Sequence, residues 1–169
     1  MGMVVVTGMG PRTGTSFVMQ QAIAKGFPVV GHQFLEGLTV PKHNIHGYWD
    51  CYPGEIEHHL TTTGLDKQIV KIWYPILKDL NTTCIDRILV IERQDKEQQL
   101  KSMYKVWEDE SKLPLIKAAN IDIDLPTLLE EHTKGLKQLL KDIKNKMIVF
   151  TEDLDKEIDV ILDFLKGGL

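Results

Sequence analysis

Five short apolar runs punctuate the chain, at residues 3–7, 28–31, 68–73, 87–92 and 146–151. Most are rich in Val and Ile, and they are continuous rather than alternating, as strands covered on both faces must be. Helical patterns fill most of the gaps. One helix is predicted from Gly14 to about Lys25, with Gly26 closing it, and a brief one from Pro53 to Gly64. Asp95 is placed to cap a helix whose Leu100, Met103, Tyr104 and Trp107 recur at i, i+3, i+4 and i+7. From Pro126 a further helix carries Leu128, Leu129, His132, Leu136, Leu139, Leu140 and Ile143 on one side. Asp155 is expected to cap the last, which holds Ile158, Ile161, Leu162 and Leu165. Strands and helices that alternate in this way predict an α/β fold, a mostly parallel five-stranded sheet covered by helices on both faces. Residues 1–169 are expected to form one domain, long enough to bury roughly 70% of the unfolded surface.

Charge and cysteine content narrow the function. Against 20 Lys and Arg stand 24 Asp and Glu, a net −4 that argues against a surface built to coat nucleic acid. An anion site must therefore be a local concentration of positive charge. Two cysteines, Cys51 and Cys84, make neither a disulfide framework nor a zinc spacing, so a reducing, cytoplasmic setting fits more easily. No apolar run approaches the ~20 residues of a membrane span, and with a strand predicted from residue 3 no signal peptide is expected. Residues 35–53, rich in Gly, Pro, His and Asn, read as a long functional loop.

In parallel sheets, ligands bind outside the carboxyl ends of the strands. The loop there after the first strand is "TGMGPRTGTSF", residues 7–17. Gly8, Gly10 and Gly14 let backbone N–H groups turn towards an anion. The helix opening at Gly14 adds its positive end, and Thr15 and Ser16 add hydroxyls. A nucleotide-triphosphate loop would place a lysine just before Ser16, but Thr15 stands there. The nearest cation is Arg12, whose planar fork suits a phosphate or sulfate.

"GMGPRTGTSFV" resembles the phosphosulfate-binding loop of sulfotransferases, with its Pro-Lys/Arg-Ser-Gly-Thr-Thr/Ser order. Four further stretches fall in the family's order. "NIHGYWD" (44–50) is similar to the Asn-Pro-Lys-Gly-Tyr/Phe-x-Glu segment of bacterial members, and "IVKIW" (69–73) to the strand bearing an active-site lysine. "VIERQDKEQQLKSMY" (90–104) resembles the Arg…Ser element that holds a 3′-phosphate, and "VFTEDLDKEIDVILDFLKG" (149–167) the closing strand and helix. The resemblance implies a P-loop NTPase-like three-layer α/β/α fold that takes 3′-phosphoadenosine-5′-phosphosulfate (PAPS) in place of ATP and transfers its sulfuryl group without a metal. Gly10, Pro11, Arg12, Thr13, Gly14, Thr15 and Ser16 would then cradle the 5′-phosphosulfate, and Arg93 and Ser102 the 3′-phosphate. Lys71 would join Arg12 in stabilising charge on the departing oxygen.

The base that takes the acceptor's proton is expected among His32, Glu36, His43, His46 and Asp50, with Glu36 or His32 preferred because "GHQFLE" resembles an acidic segment of bacterial members. The acceptor, a small molecule or a saccharide, is not legible. Residues 110–125 are the other loop able to line its pocket. Two different readings stay open: a nucleotide kinase or NTPase, with Glu92 at a strand end supporting Mg²⁺, and a non-catalytic nucleotide-binding module.

Overall fold

A computed structural model describes residues 2–52, 54–62 and 65–169. The expected helix boundaries at Pro53 and Gly64 lie outside those residues. Five strands form one all-parallel sheet: β1 (Met3–Gly8), β2 (Val29–Val30), β3 (Ile69–Lys71), β4 (Ile85–Glu92) and β5 (Lys146–Phe150), in the order β2-β3-β1-β4-β5. Seven helices accompany them among the described residues: α1 (Thr15–Ala24), α2 (Glu55–Thr62), α3 (Tyr74–Leu77), α4 (Lys96–Glu110), α5 (Pro114–Ala118), α6 (Leu125–Leu139) and α7 (Leu154–Lys166).

The strands' side-chain alternation sorts the interior into two cores. Met3 and Val5 of β1, with Ile88 and Val90 of β4, point towards Leu136 on α6 and Leu77 on α3. Val4, Val6, Leu89 and Ile91 point the other way, onto Val18 and Met19 of α1 and Ile161 and Leu165 of α7. Because both faces are covered, β1 and β4 needed continuous apolar runs. A third, smaller cluster joins α4 to α6 through Met103, Leu125 and Leu129.

Three expectations need correction. Tyr104 is 53% exposed, so the buried stripe of α4 is narrower than the i, i+3, i+4, i+7 pattern implied. The last helix begins one residue before Asp155, because a 3₁₀ turn at Thr151–Asp153 leads into it and Asp153 takes the cap position. Residues 110–125 are not simply loop, since they include α5. Asp95, by contrast, caps α4 as expected, its carboxylate accepting from the Gln98 N–H.

The strand order positions the site. From β1 the chain moves outward to β2, whereas β4 continues to β5 on the opposite side. The topology therefore reverses between β1 and β4, and a crevice opens there at their carboxyl ends.

Candidate functional site: an anion cradle opening into an apolar cavity

Between β1 and α1 the backbone takes a left-handed turn three times in five residues, at Gly10 (φ 86°), Arg12 (φ 65°) and Gly14 (φ 95°). Two are glycines for a steric reason as well. A Cβ at Gly10 would overlap Leu129 Cδ1, and one at Gly14 would stand 2.6 Å from Leu154 Cδ1. Arg12 has no such freedom, and its strained backbone costs about 1 kcal/mol or more, which the surroundings must hold in place. Gly14 caps α1 with no side-chain hydrogen bond, and no acidic residue lies in the helix's first turn. The positive end of α1 is thus left for an external anion.

The loop is tied to α4 and to the strand ends. Gln99, fully buried, donates from Nε2 to Met9 O (3.1 Å) and Pro11 O (2.7 Å). Thr151, just past β5, donates to Thr13 O at 2.7 Å. Arg93 donates to Arg12 O at 3.3 Å and to Gln98 Oε1 at 2.6 Å. It forms no ion pair with Asp95 or Glu97, and its Nε is buried with no hydrogen-bond partner among the described residues. Arg12 Nε in turn donates to Ser102 Oγ at 3.1 Å. Arg93 and Ser102, 81 and 90 residues beyond Arg12 in sequence, converge on it. Both guanidiniums line a cavity of about 690 Å³ together with the loop from Gly10 to Ser16.

The strap of residues 41–50 forms the facing wall. Asn44 Nδ2 donates to Ser16 Oγ at 2.8 Å. Asp109, on α4, holds the strap by Lys42 and His43, both at 2.8 Å. Tyr48 donates its hydroxyl to Glu110 Oε1 at 2.9 Å. Burial, and then the Glu110 charge, push the Tyr48 hydroxyl far above its ordinary pKa. Burial likewise raises Glu110, against the pull of the Tyr48 hydrogen bond, His43 and Arg12.

Lys71 is buried at the end of β3, where Nζ donates to Tyr48 O and lies 3.2 Å from Asp50 Oδ2. Burial lowers its pKa while Asp50 opposes, and burial raises Asp50 while Lys71 opposes. It lines the cavity from beneath Tyr48, 5.7 Å from the centre of that ring.

The two preferred base candidates lie elsewhere. His32 pairs with Glu55 at 2.9 Å, Glu36 is exposed, and neither lines the cavity. An isolated antiparallel bridge joins His32, just past β2, to Asp50. His43 and His46 do line it, as does Glu110, which sequence reasoning did not single out. Gln99 was also missed, and nothing in "DKEQQLKS" separates it from its neighbour Gln98. Glu92 is engaged by Lys96 at 3.4 Å and Lys137 at 3.9 Å, which leaves it poorly suited to support Mg²⁺.

Among the described residues no group of three or more His, Cys, Asp or Glu side chains is arranged to hold a metal ion, and no helix is long and apolar enough to cross a membrane. No protein-family model matches the chain, and no curated protein matches its sequence.

Proposed function

We propose that the protein is a sulfotransferase-like enzyme of the P-loop kind, which binds PAPS and passes its sulfuryl group to a hydroxyl or amine. The observation that carries this reading is the meeting of Arg12, Arg93 and Ser102 at a phosphate-type loop with no lysine before Ser16. Two guanidiniums at one crevice suit a ligand with two separated anionic groups. A triphosphate loop would instead need an ammonium at the β/γ-phosphates. The uncapped start of α1 suits the 5′-phosphosulfate, and the unpaired Arg93 Nε with the Ser102 hydroxyl suits the 3′-phosphate.

In the reaction, the acceptor oxygen or nitrogen attacks sulfur in line, and the bond from sulfur to the 5′-phosphate oxygen breaks. Adenosine 3′,5′-bisphosphate leaves. Arg12, the loop N–H groups and Lys71 stabilise the charge that grows on the leaving oxygen. We assign the proton-accepting role to Glu110 in place of Glu36 or His32. It lines the cavity, it is held by Tyr48, and its raised pKa moves it towards the range of a working base.

The test is transfer of ³⁵S from labelled PAPS to a panel of phenols, aliphatic alcohols, saccharides and amines, without added metal. The wild type should label at least one acceptor. Arg12→Ala should lose about 10²–10³-fold in rate, as removal of one donor to a developing oxyanion does. Wild-type transfer by Arg12→Ala would remove Arg12 from the mechanism. Phosphoryl transfer from ATP–Mg²⁺ with none from PAPS would replace the reading altogether.

A further inference from the structure

Beyond the loop and its arginines the cavity changes character. Met103 and Trp107 from α4, Leu125 and Leu128 from α6, and Trp73 after β3 give it apolar walls. Trp73 keeps 40% of its surface uncovered even so, leaving an indole available to whatever enters. One ring in these walls is an imidazole. His132, on α6, is 4% exposed, lines the cavity, and carries an Nε2 with no hydrogen-bond partner among the described residues.

Packing alone does not explain it. His132 occupies a buried slot between Leu129 and Leu136, where an apolar residue would fill the space without burying an unpaired nitrogen. Its neighbour Tyr74 packs on it with ring centroids 5.7 Å apart. That placement depends on Gly135, because a Cβ there would overlap the Tyr74 hydroxyl. A polar ring left unpaired, with an aromatic partner seated by a glycine, is what a ligand contact needs. Burial lowers the pKa of His132, Lys78 adds to this and Glu131 opposes, so the ring is neutral at neutral pH. A neutral imidazole donates at one nitrogen and accepts at the other, and a hydroxyl can answer either.

We propose that this arm of the cavity is a ligand compartment for a small, largely apolar molecule, and that His132 selects within it for a hydroxyl on the part that reaches α6. As the acceptor compartment of sulfuryl transfer it rests on the function proposed above. As a ligand site it stands on His132 and the apolar walls.

The experiment compares indane with 5-indanol, two probes of one shape that differ by a hydroxyl. Each is titrated into the full chain at pH 7.5 by calorimetry, with tryptophan fluorescence reporting on Trp73 and Trp107. The alcohol should bind about 3- to 10-fold tighter, the worth of one buried hydrogen bond. It should also move the ¹⁵N resonances of the His132 ring. His132→Phe should bind both probes equally, and His132→Gln should keep part of the preference, which guards against a variant that merely misfolds. Equal binding of the probes by the wild type, binding of neither, or a preference that survives in His132→Phe would overturn the proposal. Adenosine 3′,5′-bisphosphate is titrated alongside and reports only on the phosphate end. Failure of the bisphosphate to bind, with the indanol preference intact, would sink the PAPS reading and leave this compartment standing.

Discussion

Replacing Gln99 by Leu isolates what holds the loop between β1 and α1 in shape. The substitution keeps a helix-forming side chain of similar size in a fully buried position of α4. It removes the amide whose Nε2 donates to two loop carbonyls, Met9 O at 3.1 Å and Pro11 O at 2.7 Å, and whose Oε1 accepts a long bond from Lys96 at 3.5 Å. Each carbonyl deprived of its donor inside the protein costs about 1–3 kcal/mol, and the apolar replacement recovers part of this, leaving a net loss of about 2–4 kcal/mol. At about 2–4 °C per kcal/mol for a chain of this size, the melting temperature should fall by on the order of 10 °C. The functional consequence is more specific. Met9 and Pro11 flank Gly10, and Arg12 follows at once in a left-handed conformation that its neighbours must enforce. A loop released from α4 lets Arg12 relax away from Ser102, so affinity for adenosine 3′,5′-bisphosphate should drop by about tenfold, or 1.4 kcal/mol. Calorimetric titration and thermal melting read the two effects separately. If Gln99→Leu melts and binds as the wild type does, the loop is not held from α4 and the account of its rigidity is wrong.

Gly14→Ala must adopt φ 95° and place a Cβ 2.6 Å from Leu154 Cδ1, so it should lose about 2–4 kcal/mol in denaturant unfolding; a neutral result would mean the turn has another conformation. Lys71→Met leaves the Asp50 carboxylate buried without its counter-charge and should cost about 3–5 kcal/mol, whereas Lys71→Met with Asp50→Asn should regain much of it. Equal loss in the single and double variants would show that the pair is not coupled. The strap has an acid limit. Hydrogen bonds from Lys42 and then His43 hold Asp109 at about 2 against an ordinary 3.8. Its contribution is therefore complete above about pH 4 and disappears as the pH falls through 2. Hydrogen-exchange protection factors of residues 42–48 should fall across that window in the wild type and be low throughout in Asp109→Asn; protection factors indifferent to pH would remove Asp109 as the strap's anchor.

The sheet was legible because strands covered on both faces leave an uninterrupted apolar record, and "MVVVT" and "RILVIE" do so. The loop was legible because its chemistry is local, with glycines, an arginine and hydroxyls in one run after a strand. What joins the loop to distant residues was only partly legible. Arg93 and Ser102 were reached through the resemblance, and the structure brings both to Arg12. Gln99 and Glu110 left no mark, because a glutamine buried against carbonyls and a glutamate half-buried at a helix end read like their exposed neighbours. α5 escaped notice because Pro114 reads as a break when it stands alone, although it occupies the first turn of a short helix. Tyr104 was taken into the core because its spacing from Leu100 is helical, but the α4–α6 contact is only wide enough for Leu100, Met103 and Trp107. The histidine and acid of "GHQFLE" were placed at the crevice by motif order, but His32 pairs with Glu55, Glu36 is exposed, and neither lines the cavity.

Calorimetric titration of the chain with adenosine 3′,5′-bisphosphate, and separately with ADP plus Mg²⁺, tests the central claim most directly. The bisphosphate should bind without metal, in one-to-one proportion, and both Arg12→Ala and Arg93→Ala should weaken it by at least tenfold, as loss of a charge-assisted contact requires. Tighter binding of ADP–Mg²⁺, or bisphosphate binding untouched by either arginine variant, would contradict it.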